Sequence, residues 1–304
     1  MGVVVYDRLV LCRLNLVERG YQVNRVVFEL NDVYYSYLGK FPALCGVDIA
    51  IEEGHKIAVI GANGSGKSTL LHILDGLFFA DQGSVRFLGK NLAENNFHDE
   101  TFSRNFRRTV GLVFQNPDVQ LFCPTVKDDI VFGPLHLGMG KTEISQRLEE
   151  LVGRLNIEAL LERSPHQLSI GEKRKVAIAS SLIIDPEILL LDEPTAGLDP
   201  ATTRHIIDLL NEAHEAGKTI ITSSHDLHVV EEISDSIYVF NHDKKIVRSG
   251  PADVILNDTE LLQENNLVHI HSHRHKDKIH VHTHIHRDHH PEDAPHQMPE
   301  DLPE

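Results

Sequence analysis

KIAVIGANGSGKSTLLHIL, residues 56–74, decides the fold. KIAVI has the unbroken apolar character of a strand buried on both faces. GANGSGKS, residues 61–68, fits G-x-x-x-x-G-K-[ST] at every fixed position. Leu70, Leu71, Ile73, Leu74 and Leu77 then recur at helical spacing. Strand, glycine loop and helix in that order are the setting in which such a loop binds phosphate. Gly61, Gly64 and Gly66 let backbone N–H groups converge on an anion without side-chain clashes, and the helix presents its positive dipole end to it. The phosphate-binding set read here is Gly61, Asn63, Gly64, Ser65, Gly66, Lys67, Ser68 and Thr69. Lys67 is expected to reach the β- and γ-phosphates, and Ser68 to hold magnesium.

Outward from this stretch, strands and helices alternate. VVFELNDVYYSY, residues 26–37, alternates like a strand, and Glu53-Gly54 marks a turn before KIAVI. The middle third, roughly 95–165, reads as mostly helical with loops. EILLLDEP, 187–194, is a second buried strand ending in Asp192 and Glu193. Adjacent residues at a strand end point different ways, so one carboxylate can serve a metal while the other polarises a water. TTRHIIDLLNEAHEAG, 202–217, is an amphipathic helix with a glycine stop; KTIITSSH, 218–225, is a third buried strand. SIYVF and KKIVRSG form a hairpin around residues 241–243. This pattern predicts an α/β protein with a parallel sheet covered on both faces.

Composition sets outer bounds. The chain has 304 residues and a net charge of −16, which argues against a partner bound through many phosphates and hence against nucleic acid. Its three cysteines, Cys12, Cys45 and Cys123, show no CxxC spacing, so a disulfide framework is not expected and a reducing compartment is. No apolar run approaches the about 18 residues of a membrane span. Residues 1–27 read as an N-terminal extension or a start codon placed too early. The composition breaks near Gln263.

The motifs together resemble the ATP-binding-cassette ATPases. Gln115 in GLVFQNPDVQLF is similar to the Q-loop glutamine, LSIGEKRKVAIA (168–179) to the signature, Asp199 in AGLDP to the D-loop, and His225 in SSHDL to the switch histidine. Tyr37 stands where the family places an aromatic that stacks on adenine. The resemblance covers about 28–262. It implies a RecA-like parallel-sheet core, an N-terminal antiparallel β subdomain and a helical signature subdomain at about 95–180. It also implies ATP and Mg²⁺, with Ser68, Gln115 and Asp192 at the metal, Glu193 as the base towards water, and His225 at the γ-phosphate. Two cassettes, here expected as a homodimer, would pair head to tail, each ATP also meeting Ser169, Gly171, Glu172 and Asp199 of the other chain. One departure stands out: LSIGE replaces the usual LSGGQ. If the replaced glycine needs φ > 0, Ile170 is costly there; if it needs only a small side chain, Ile170 is tolerated.

FQNPDVQLF and the lack of a fused membrane part look most like the ATPases of energy-coupling factor importers. Those drive uptake of vitamins, or of nickel and cobalt, through a separate integral membrane component and a substrate-binding membrane component. The expected location is peripheral, on the cytoplasmic face of the cell membrane.

The last segment, 263–304, is histidine-rich and then acidic and Pro-rich. VHIHSHRHKDK (268–278) overlays IHVHTHIHRDH (279–289) as an internal duplication. As strands, His269, His271, His273 and His275 would share one side, and His280, His282, His284 and His286 another. Pairing His275 with His280 around a turn at Asp277-Lys278 would put all eight on one face, whereas a slide by one would split them. Imidazole suits Ni²⁺, Co²⁺, Cu²⁺ and Zn²⁺, and raw affinity favours copper over nickel and cobalt, so the tail alone does not name the metal. A lone hairpin is marginal in water, so hairpin and disordered tail both stand, as does a polar tail without a role. The expected function is the ATPase of a nickel or cobalt importer with a metal-binding tail. The alternatives are a vitamin importer's ATPase and a soluble cassette acting as a metal-dependent regulator or chaperone.

Overall fold

A computed structural model describes residues 25–275 and 278–285; the 1–24 part of the N-terminal extension, His286 and the acidic end lie outside them. Two sheets share the cassette. The first is antiparallel, with strands β1 (Val26–Tyr37), β2 (Phe41–Glu52), β4 (Gln82–Phe87) and β5 (Lys90–Asn91) in the order β2-β1-β4-β5. The second contains β3 (Lys56–Ile60), β6 (Val110–Val113), β7 (Ile188–Asp192), β8 (Thr219–Ser223), β9 (Ser236–Phe240) and β10 (Ile246–Pro251), ordered β10-β9-β3-β8-β7-β6. Five of its strands run parallel; β10 is an antiparallel edge, folded back on β9 as the hairpin pattern predicts. The sheet is therefore mixed rather than all parallel.

The helices are α1 (Lys67–Leu74), α2 (Glu100–Thr109), α3 (Val126–His136), α4 (Lys141–Leu155), α5 (Ile170–Leu182), α6 (Pro200–Glu215), α7 (Leu227–Ile233), α8 (Ala252–Leu256) and α9 (Thr259–Glu264). Their starts follow from their caps. Asp99, Thr125, Ser169, Asp199, Asp226 and Asp258 each accept a backbone N–H of the first turn.

Strand β7 shows why the sheet lies in the middle. Successive side chains face opposite sides: Leu190 packs with Phe28, Leu70 and Phe106, while Leu189 and Leu191 pack with the α4–α6 side through Leu151, Val176 and Leu209. A third cluster joins Ala58, Ile60 and Val239 to α7, α8 and α9, and continues through Leu267 and Val268.

Three local readings change. Val110–Val113 is an edge strand of the main sheet inside a stretch read as helical. Four residues are too few to display a period. Leu77 falls beyond the end of α1 and is 42% exposed, so the helical repeat stops at Leu74. In the tail, β11 (Val268–His275) pairs antiparallel with β12 (Lys278–Ile285), but His275 opposes Lys278 and His273 opposes His280. The partner of His275 is thus displaced by two residues from the expected one, and Lys278, expected in the turn, is the first residue of β12. His269, His271 and His273 thus stand opposite His284, His282 and His280, and with His275 these positions share one face.

Leu190 is fully buried on β7. Leu190→Ala should cost about 3 kcal/mol, the usual penalty for a core cavity, seen as a lower denaturant midpoint. Val247→Ala, at a 45% exposed position, should stay within about 0.5 kcal/mol.

Candidate functional site

The loop between β3 and α1 takes its shape from two contacts. Gly66, with φ +113°, sits so close to β2 that a Cβ would lie 2.5 Å from the Ala43 carbonyl oxygen. Gly64 also has positive φ, +77°, in open space. The loop therefore needs glycine at 66 for room as well as conformation. Ser65 Oγ is buried and has no hydrogen-bond partner among the described residues. Behind the loop, Lys67 is buried; its Nζ donates to Gly61 O at 2.7 Å and lies 3.9 Å from Glu193 Oε1. Burial pulls the Lys67 ammonium below its ordinary range, and Glu193 and Asp192 oppose that shift.

The two strand-end acids diverge. Asp192, buried, accepts a hydrogen bond from Ser223 Oγ at the end of β8. The Glu193 N–H donates to that same Ser223 Oγ at 3.0 Å. Glu193 is non-glycine at φ +48°, a left-handed conformation that costs about 1 kcal/mol or more. This backbone turn aims its carboxylate at Lys67 and at His225, whose Nδ1 is 2.9 Å from Glu193 Oε2. The contact with Glu193 raises the His225 pKa above its ordinary value, against the effect of partial burial.

A cleft of about 480 Å³ is lined by Tyr37, Asn63, Gly64, Gly66, Lys67, Ser68, Thr69, Gln115 and Glu193, with Phe41, Pro42, Ala43 and Lys244. Gly61 and Ser65 lie behind it, and Asp192 and His225 adjoin it through Ser223 and Glu193. Tyr37 meets Thr69 Oγ1 with its hydroxyl at 3.0 Å, and its ring packs edge-on against Phe78. Anion-directed N–H groups, one buried lysine, a ring at the rim and two carboxylates make the cleft suited to a nucleoside polyphosphate.

The signature residues are elsewhere. Ser169, Gly171, Glu172 and Asp199 line a second cleft with Ile170, Gly197 and Thr202; it shares no residue with the first. Ser169 caps α5 and is held by Glu172: Ser169 N–H and Oγ donate to Glu172 Oε2 at 2.8 and 2.9 Å. These bonds hold the Glu172 carboxyl below its ordinary pKa. Ile170 is the first residue of α5, is absent from the positive-φ positions and is 61% exposed. Its backbone needs no glycine.

Sequence reasoning missed the residues that tie these parts together. Arg174, buried on α5, donates to the carbonyls of Phe114 and Gln115 at 2.8 and 2.7 Å. Gln120 accepts from Phe114 N–H and donates to Ala177 O, and Lys173 pairs with Asp118. The Gln115 segment is thus bound to the signature helix. The only signal was an arginine on a helix face that also carries Ala177 and Ile178.

A family profile described as ABC transporter matches residues 44–196. The chain is 45% identical over 242 residues, 80% of its length and 99% of the other's, to a putative ABC transporter ATP-binding protein of Caldanaerobacter subterraneus. This chain belongs to the ABC transporter ATPases. It is also 48% identical to the nickel import ATP-binding protein NikO of Rhodobacter capsulatus, over 79% of this chain and 95% of that protein. Among solved structures it is similar to cbiO1 of Clostridium perfringens, part of the complex cbiONQ, at 33% identity, TM-score 0.67, and 80% and 95% coverage. The chain is accordingly an ATP-hydrolysing transporter subunit that uses ATP and Mg²⁺. Ser68, Asp192 and Gln115 fit that metal, for they offer only oxygen donors of hydroxyl, carboxylate and amide type. Among residues 25–268 no helix is long and apolar enough to cross a membrane, and no group of His, Cys, Asp or Glu is placed to hold a metal ion.

Two outcomes follow from this geometry. Glu193→Gln should lower the rate of ATP hydrolysis at least about 100-fold, while ATP still binds in an equilibrium assay. The His225 pKa is raised in the fold, so its favourable contact is complete below pH about 6.5 and fades as pH climbs through the folded pKa. Histidine NMR titration should place the His225 midpoint above 6.5, and Glu193→Gln should bring it down.

Proposed function

We propose that this chain powers the import of nickel or cobalt ions through a separate membrane component, as one of two cassettes paired head to tail. The observation that carries the cargo is the tail register: seven histidine positions on one face of a duplicated hairpin rooted in the cassette at Val268. The likeness to a nickel import ATPase supports it.

In this reading the N–H groups of the 61–69 loop and Lys67 hold the phosphates, and Tyr37 stacks on adenine. Ser68, Asp192 and Gln115 would hold Mg²⁺, which would supply positive charge to neutralise the phosphates. The Glu193 carboxylate accepts a proton from the attacking water, and His225 holds that carboxylate in place and meets the γ-phosphate. One chain keeps Ser169, Gly171, Glu172 and Asp199 in a different cleft, which supports a second copy presenting them to the bound nucleotide. Next to the Gln115 segment, Val119, Phe122, Phe132 and Leu135 are 40–64% exposed, with the Phe122 and Phe132 rings edge to face at 5.0 Å. An apolar patch tied to Gln115 suits a membrane partner docked on the cytoplasmic side. The tail histidines then hold incoming Ni²⁺ or Co²⁺, with Zn²⁺ as a competitor.

The test is uptake of labelled nickel and cobalt in cells lacking the protein. Wild type should restore uptake and Lys67→Ala should not. Deleting residues 268–290 should keep hydrolysis within about twofold while lowering metal bound per chain. Restored uptake of a labelled vitamin but of neither metal would overturn the cargo assignment, and unchanged metal binding by the deletion would overturn the role of the tail.

A further inference from the structure

Two lysines line the nucleotide cleft, and the loop motif accounts for only one of them. Lys67 is bound to Gly61 O and set against Glu193. Lys244 comes from the turn between β9 and β10. Among the described residues, its ammonium has no hydrogen-bond or ion-pair partner.

Its backbone is fixed on two sides. Lys244 N–H donates to Asn241 O at 3.2 Å, closing the turn, and Lys244 O accepts from Cys45 N–H of β2 at 3.0 Å. The turn is thereby pinned to the strand whose Ala43 carbonyl presses on Gly66. Lys244 also has φ +63°, the left-handed region that favours glycine. A lysine there costs about 1 kcal/mol relative to glycine and gains nothing from the turn itself. A strained backbone at a cleft-lining lysine whose charge the turn does not use points to function.

We propose that Lys244 is a nucleotide-binding residue: from the β9–β10 turn its ammonium pairs with the phosphate chain of bound ATP, adding a second cation to that of Lys67. A half-buried cation facing several phosphate oxygens gains a charge-assisted bond that a neutral side chain cannot make. This assignment concerns ATP alone and is independent of the cargo.

The experiment measures equilibrium binding of a non-hydrolysable ATP analogue, ADP and adenosine to the full chain. Lys244→Gly removes the charge and relieves the left-handed residue, so its melting temperature should be no lower than wild type. Lys244→Asn removes the charge with a residue that tolerates this conformation. Both variants should weaken the ATP analogue and ADP about tenfold, leave adenosine within about twofold, and make analogue binding less salt-dependent. Lys244→Arg should retain most of the affinity. Equal loss for adenosine, or analogue affinity held within about twofold in both neutral variants, would overturn the assignment.

Discussion

The contact between Gly66 and the Ala43 carbonyl is the constraint on which the rest of the cassette depends. It brings the antiparallel sheet against the loop that ends the central strand of the main sheet. No side chain fits between them, so the loop geometry and the docking of two sheets are one decision. The same strand, β2, accepts the β9–β10 turn through Cys45. Both walls of the cleft are therefore referenced to a single strand. At its other end α1 is also held: Arg107 of α2 bonds to the carbonyl and carboxylate of Asp75, just past the last helical residue. Burial raises the Asp75 carboxyl to about 6, against the pull of Arg107. The helix that points its positive end at phosphate is thus stopped at both termini.

Around this frame the charges are balanced in a chain. Lys67 faces Glu193, Glu193 faces His225, and Ser223 links Asp192 to the Glu193 backbone. The strained Glu193 is tolerated because two ends of parallel strands fix it from both sides. Arg174 and Gln120 make the Gln115 segment an extension of the signature helix. The segment beside the first cleft is therefore held by the same helix that carries residues of the second.

Much of this was legible in the sequence because the relevant signals are local. KIAVI, ILLLD and TIITS are buried on almost every residue and read as such. The 61–68 loop lies between β3 and α1, as its motif predicts. What escaped depends on distant chain. Val110–Val113 is a strand because β7 lies beside it, not because of its own period. Arg174 is an ordinary helix residue until the Gln115 segment folds over it. Lys244 reads as one charge in a polar turn, and only its φ and the cleft beside it set it apart. The Ile170 question was one of backbone angle, which composition does not contain.

The tail ladder differs from the expected register by a slide of two residues, and the histidine positions still fall on one face. With imidazoles at every second position in both strands, all even slides are equivalent in facing, and only odd slides scramble them. Facing in this ladder is thus protected by parity rather than by any single cross-strand pair. A hairpin of this kind can lengthen, shorten or slip by a pair and keep its histidine positions on one face.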